Sequence, residues 1–368
     1  MGEGFDVVVI GAGPAGSSAA REAARRGAGS VLLLERKPWP RDKVCAGGLS
    51  PLARRVLRRM GLWERVLPLG YGIRAARLRT PSGRELLVSG RRTSLVVRRR
   101  RLDALLAEEA VRAGAVLRPD CRAQELLVED GRVRGVRVDG ARIGARRVIV
   151  AGGTGTRCPC LPPPAERWLA CLARYEGVPF EPHTIELYFD PELFPRYGWL
   201  FPESRRQVNV GFCLVRRAKG GPPAQLGPRE LLERFLRRNL GARMASARPL
   251  GRPHWHPILP SARILHRSLP GTLLAGDSLR LVNPFTGEGL SYALASGRLA
   301  GRLTAACLRR GWPESRLLRR YLRALRRSLE PSLQVGGWFS RRGRPLLHLA
   351  ARAAGTRLGG RLIYRALS

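Results

Sequence analysis

The chain has 368 residues, enough for two interleaved domains, and 44% hydrophobic content is ordinary for a globular protein. Its formal net charge is +39, and of its 67 basic residues only Lys37, Lys43 and Lys219 are lysine. Arginine spread along the whole chain without a recognition motif excludes specific nucleic-acid binding but predicts attraction to anionic lipid and phosphate-bearing molecules.

Seven cysteines, an odd number without framework spacing, exclude a disulfide scaffold, and Cys158-Pro159-Cys160 lacks the partner pair of a metal site. No metal is expected. The first strand starts at Phe5, leaving no room for a signal peptide, and no uncharged run reaches the roughly 20 residues of a membrane span. A reducing, cytoplasmic location follows, with peripheral placement on the inner face of the membrane open.

In chain order, residues 5–10 are an apolar run of β-formers, the pattern of a buried parallel strand. Gly11-Ala12-Gly13-Pro14-Ala15-Gly16 follows. Residues 17–26 then predict a helix, 27–30 a turn, and 31–34 a second strand ending at Glu35. Residues 38–51 read as a loop, 52–60 as a helix, and a variable β-like stretch runs to about 97. A helix is expected over 102–114, a hairpin over 125–138 about Asp130-Gly131, and a short strand over 147–151. Prolines at 159–164 mark a domain crossing. Residues 169–256 read mainly as strands, with a helix near 229–240. A strand over 272–275 precedes a long helix from Gly289 to about 309, and the tail from Trp312 is helical and basic.

The β-turn-α-β unit gives the glycine cluster its meaning. Gly11 permits the tight turn, Gly13 lets the backbone approach a pyrophosphate, and Gly16 allows close helix–strand packing. Pro14 and Ala15 open the helix, whose unpaired N–H groups face the phosphate. Glu35, followed by Arg36, stands where a carboxylate can accept hydrogen bonds from an adenosine ribose. These residues define a dinucleotide site without selecting the dinucleotide.

Leu274-Ala275-Gly276-Asp277 resembles the second FAD fingerprint of the glutathione-reductase-like flavoproteins, which implies that Asp277 meets the ribityl chain. Downstream, Asn283-Pro284-Phe285-Thr286-Gly287-Glu288-Gly289 opens a helix at Leu290, and its dipole would stabilise negative charge on a reduced flavin. That segment, Lys43-Val44-Cys45-Ala46-Gly47-Gly48-Leu49 and Tyr197-Gly198-Trp199-Leu200-Phe201-Pro202 are together similar to the geranylgeranyl reductase family. These flavoenzymes saturate isolated C=C bonds of polyprenyl chains. Arg99, four before Asp103, fits the family's arginine ahead of a helix, and Arg98 is equally available. The resemblance covers most of residues 5–310. Two departures stand out: Pro195 lies two rather than three before Tyr197, and Ala151-Gly152-Gly153 replaces the Asp-Gly dipeptide of flavin hydroxylases.

The resemblance implies a mixed α/β and α+β fold: a Rossmann-like FAD domain (1–70, 95–160 and 262–310), an inserted antiparallel substrate domain (71–94 and 161–261) and a basic helical region (311–368). FAD would meet Gly11, Gly13, Pro14, Ala15, Gly16, Glu35 and Arg36 in the first unit. It would meet Cys45, Ala46, Gly47 and Arg99 in the middle, and Gly276, Asp277, Gly287, Glu288, Gly289 and Leu290 near the end. Substrate would meet Gly48, Tyr197, Trp199, Phe201 and Pro284. Tyr197, Trp199 and Phe201 alternate, so a strand would project all three to one face; ordinary core packing is the other reading. Cys45 is expected to gate substrate or relay a proton, or else to be a small buried hydrophobe.

The implied activity is reduction of isolated C=C bonds in a polyprenyl lipid, quinone or pigment. NADPH or ferredoxin would supply electrons, ferredoxin as a redox partner protein. A flavin monooxygenase of the same fold and a non-catalytic flavin- or prenyl-lipid-binding protein stay open as alternatives. Trp338, Phe339, Leu346, Leu347, Leu349, Leu358, Leu362 and Ile363 alternate with arginines, a pattern that suits either an anionic membrane surface or a cap packed on the protein.

Overall fold

A computed structural model describes residues 3–156, 161–193, 196–215, 227–265 and 268–353, with side chains except at 90–93, 228 and 343–353. Cys158, Cys160, Pro195, Lys219, Leu358, Leu362 and Ile363 lie outside the described residues, as do the side chains of Leu346, Leu347 and Leu349.

Two sheets organise the chain. In the first, Gly4–Ile10 pairs in parallel with Val31–Leu34 on one side and Ala141–Val150 on the other, and Ala115–Arg118 extends the edge. Val7, Val8, Val9, Leu32 and Leu33 have no exposed surface, so these strands read as continuous apolar runs. Ala141–Val150 is shared lengthwise. Its first half carries the antiparallel strands Arg132–Val138 and Ala123–Glu129, and its last three residues pair with Thr272–Leu274. The hairpin at Asp130-Gly131 has positive φ at both positions, and so does a second, Asp139-Gly140, which the sequence reading passed over. That second turn explains why the strand expected at 147–151 starts six residues earlier.

The second sheet runs, edge to edge, through Trp168–Glu176, Gln207–Val215, Gly198–Pro202, Thr184–Tyr188, Tyr71–Arg79, Glu85–Val96 and Gly48–Leu49. Arg248–Pro249 and His254–Ile258 close its far edge. It is antiparallel except where Thr184–Tyr188 runs parallel to Tyr71–Arg79, the seam between the strands that precede the proline-rich crossing and those that follow it.

Pro14–Arg25 and Leu290–Arg309 pack side by side. A Cβ on Gly297 would lie 2.0 Å from the Ala15 carbonyl oxygen, and one on Gly301 would lie 2.1 Å from that of Ala19. The contacts advance together along both helices, so the helices are parallel and both N-termini open at the same end.

The basic tail begins inside the first core. Glu314–Ser328 buries Leu317, Tyr321 and Leu325 at four-residue spacing, and Leu329 and Leu333 continue the stripe. Glu330–Ala353 then lies against the loop at Asn283, where a Cβ on Gly336 would meet the Asn283 side chain at 2.2 Å. Among the described residues no helix is long and apolar enough to cross a membrane.

Candidate active site

A cleft of about 1630 Å³ takes its walls from both sheets. At its head the first strand turns into helix Pro14–Arg25. Gly11 has φ +96°, and a Cβ on Gly16 would sit 1.8 Å from the Gly11 carbonyl oxygen, so only glycine lets the helix start so close to the strand. Gly13 differs, because a Cβ there would meet nothing closer than the guanidinium nitrogens of Arg41 (3.6 Å) and Arg99 (3.7 Å). The space before the helix N-terminus is open and faced by two cations. That is a cradle for a diphosphate.

A buried charge network holds those cations. Asp103, with no exposed surface, accepts two hydrogen bonds from Arg99, at 2.8 and 2.7 Å, and one from Arg41 at 2.9 Å. Asp103 raises the Arg99 pKa against the opposing effect of burial, so the guanidinium stays charged. Arg41 also pairs with Glu35 at 3.0 Å, and the Glu35 carboxylate accepts hydrogen bonds from the Ala12 and Lys37 backbone N–H groups. Arg99 lines the cleft, whereas Arg98 donates to Glu203 and Gln207 in the second sheet. Arg41 was missed from the sequence, although it sits six residues beyond Glu35 on the loop that returns over the turn.

Further along, Lys43 pairs with Asp277 at 3.5 Å. His256, from the edge strand of the second sheet, is within 3.2 Å of the Thr154 hydroxyl, and burial with nearby Lys43, Arg99 and Arg36 pushes its pKa down to about 4. Gly276 does not line the cleft; it packs against Ala15, and its N–H donates to Ser296. Cys45, Ala46, Gly47 and Gly48 form one lip. Gly47 has φ +77° and lies against the Val97 carbonyl, and its N–H donates to Cys45 Sγ at 3.4 Å. Asn209 ties that lip to the aromatic strand by accepting from Trp199 Nε1 (2.9 Å) and donating to the Ala46 carbonyl (3.1 Å).

Tyr197, Trp199 and Phe201 form a wall, with successive ring centroids 6.4 Å apart, while Leu200 between them points into the opposite core. All three rings line the cleft. The Tyr197 hydroxyl donates to the Thr286 carbonyl, and burial raises its pKa, so it stays protonated. Opposite, Thr286, Gly287, Glu288 and Gly289 lead into helix Leu290–Arg309, with Gly289 at its N-cap. Pro284, expected to touch substrate, is not among the lining residues. Its carbonyl instead accepts from Arg196, a buried arginine lying 3.8 Å from the centroid of the Trp168 ring and paired with Glu166.

Two helix N-termini, a glycine turn with two held cations and the acid Glu35 on one cleft are the parts of an FAD-dependent oxidoreductase. The FAD binding domain family matches residues 4–330. A digeranylgeranylglycerophospholipid reductase of Methanopyrus kandleri is 34% identical over 86% of this chain and 84% of its own length. A menaquinone reductase of Mycolicibacterium smegmatis is 30% identical over 95% and 91%. A geranylgeranyl bacteriochlorophyll reductase-like protein from Thermoplasma acidophilum has the same fold, with TM-score 0.78 at 24% identity over 91% and 86%. So has a flavin-dependent brominase, with 0.80 at 19% over 99% and 93%. The chain belongs to the geranylgeranyl reductase family of FAD-dependent oxidoreductases.

Proposed function

We propose that the protein saturates isolated C=C bonds in the polyprenyl chain of a lipid, quinone or pigment. One observation carries this reading: a single cleft holds both a diphosphate cradle and the Tyr197–Trp199–Phe201 wall. At about 1630 Å³ it exceeds the roughly 300–1,000 Å³ of a one-ligand site, leaving room for cofactor and substrate together.

When bound, FAD supplies the hydride. The rest falls to the chain. Arg41, Arg99 and the N-terminus of Pro14–Arg25 offset the negative charge of the diphosphate, and the N-terminus of Leu290–Arg309 favours negative charge at the other end. An isolated alkene has no carbonyl to stabilise a carbanion, so its reduction needs an apolar, water-poor channel and a positioned acid. The aromatic wall supplies the first, and Cys45, on the adjoining lip, gates substrate.

The experiment is anaerobic. The flavin is photoreduced, which removes the choice between reduced nicotinamide and ferredoxin, and geranylgeranyl diphosphate or lipid extract is added. Reoxidation with a mass gain of two hydrogens is expected. No reoxidation with any prenyl substrate, or oxygen incorporation coupled to NADPH consumption, would move the protein to the monooxygenase class.

An anionic membrane surface is the proposed place of substrate uptake. Trp338 and Val335 are exposed on helix Glu330–Ala353, and Arg342 lies over the Trp338 ring.

A further inference from the structure

Five carboxyl side chains line the cleft: Glu35, Asp42, Glu125, Asp277 and Glu288. Four have a cationic partner, namely Arg41, Arg174, Arg137 and Lys43 in that order. Glu288 has none among the described residues. In a protein with 67 cations and 28 acids, an unpaired carboxyl on the cleft is an exception that composition opposes.

Its position is at the aromatic end. Gly287, the residue before it, lies 3.6 Å (as a built Cβ) from the Tyr197 hydroxyl, and Glu288 Oε1 accepts a hydrogen bond of 2.6 Å from Ser50. Ser50 follows the lip that ends at Gly48, itself 3.2 Å (as a built Cβ) from the Phe201 ring. Ser50 is held in turn, since its hydroxyl caps helix Pro51–Arg59 by accepting from the Ala53 N–H. The Glu288–Ser50 bond therefore joins the two walls beside Tyr197 and Phe201.

Two other proton-bearing groups there are committed. Tyr197 gives its proton to the Thr286 carbonyl, and Cys213 donates to the Tyr197 carbonyl with its thiol pushed up to about 11 by burial. The titratable groups facing Glu288 are Tyr197 and Tyr292, both raised by burial and neutral. A carboxyl among neutral groups, without a cation, holds its proton more tightly than one in water. Burial does raise the Glu288 pKa, although hydrogen bonds from Ser50 and Ser291 oppose it. The nearby helix N-terminus also opposes it.

Resting on the reading of the site as a prenyl reductase, we propose that Glu288 is the acid that protonates the alkene carbon not receiving hydride. The balance is simple: the reduced flavin gives two electrons and one hydrogen as hydride to one carbon. The Glu288 carboxyl gives a proton to the other, the π bond is consumed, and the carboxylate left behind regains its proton from water. Ser50 is the positioning residue, because its hydroxyl holds Oε1.

The test uses the full chain with FAD bound, photoreduced without oxygen and mixed with geranylgeranyl diphosphate, following flavin reoxidation in one turnover. Glu288→Gln is expected to keep its flavin spectrum and be reduced normally, but to reoxidise about 10²- to 10⁴-fold more slowly. Glu288→Asp should recover part of the rate. In the unmodified protein the rate should fall as pH rises through the Glu288 pKa. Ser50→Ala, which removes a donor to the carboxylate, should move that fall to higher pH. Reoxidation of Glu288→Gln at the unmodified rate overturns the assignment. So does a rate independent of pH, which decides the matter even if Glu288→Gln fails to fold. If the unmodified protein itself is not reoxidised by any prenyl compound, the functional reading fails instead, and the two failures are distinguishable.

Discussion

Asp103 serves two arginines at once and meets no water. Removing one partner of a buried ion pair typically costs about 3–5 kcal/mol, because the remaining charge stays buried without compensation. Asp103→Asn keeps the shape and loses the charge, so it should destabilise the protein by an amount of that order and release flavin. Urea unfolding and the flavin-to-protein absorbance ratio measure both; unchanged flavin content would show that Arg41 and Arg99 do not hold the diphosphate. His256 supplies a pH signature. Its folded pKa lies below the ordinary 6.5, so between pH 6.5 and about 4 the unfolded chain binds a proton that the folded one refuses. Stability is lost as pH falls through that window, and His256→Gln should flatten this part of the urea-midpoint profile of the flavin-free protein. At this scale the sequence was uneven. Gly11, Gly16 and Glu35 were legible because each does something only its residue type can do. Arg41 was not, because an arginine among so many carries little information until the fold brings it 3.0 Å from Glu35. His256 and Asn209 belong to no motif, and only strand register carries His256 to the cleft and Asn209 behind its aromatic wall.

Elements were more legible than residues. The first strand, both hairpin strands and the long helix after Gly289 fall within a few residues of expectation, since each is a periodic apolar pattern bounded by a turn or cap. The helix expected at 102–114 starts at Arg99, because Arg99 pairs with Asp103 four residues on, a helical spacing that the apolar pattern does not register. What no local pattern could show is the pairing of Pro14–Arg25 with Leu290–Arg309. Gly301→Leu tests that seam, since its Cβ alone would meet the Ala19 carbonyl at 2.1 Å. Forcing the helices apart should cost about 1–3 kcal/mol or more and splay the two N-termini, lowering flavin affinity along with stability. Gly4→Ala, with open space around its Cβ, should do neither.

For the molecule as a whole, the tail is a structural part before it is anything else. Leu317, Leu325, Leu329 and Leu333 are buried in the first core, each worth about 1.5–3 kcal/mol. A chain cut after Arg310 should therefore be insoluble or unfolded, whereas one cut after Arg342 should keep its flavin; gel filtration and the flavin spectrum separate the two. The second chain is the one for liposome flotation, with Trp338→Ser added. Binding to anionic vesicles as strong as that of the full chain would remove the tail from the membrane proposal. Charge alone, read from composition, could not make this division between packed and exposed halves.

The parallel seam also orders events during synthesis. Gly11–Gly16 leaves the ribosome long before the helix that completes the cleft, which ends at Arg309, nearly three hundred residues later. At about 5–20 residues per second, that interval is roughly 15–60 s. Throughout it the backbone at Ala15 and Ala19 lacks the glycines, Gly297 and Gly301, that pack against it. Flavin binding in its full cleft therefore waits for the helix Leu290–Arg309, and until then the face of Pro14–Arg25 that meets it is uncovered.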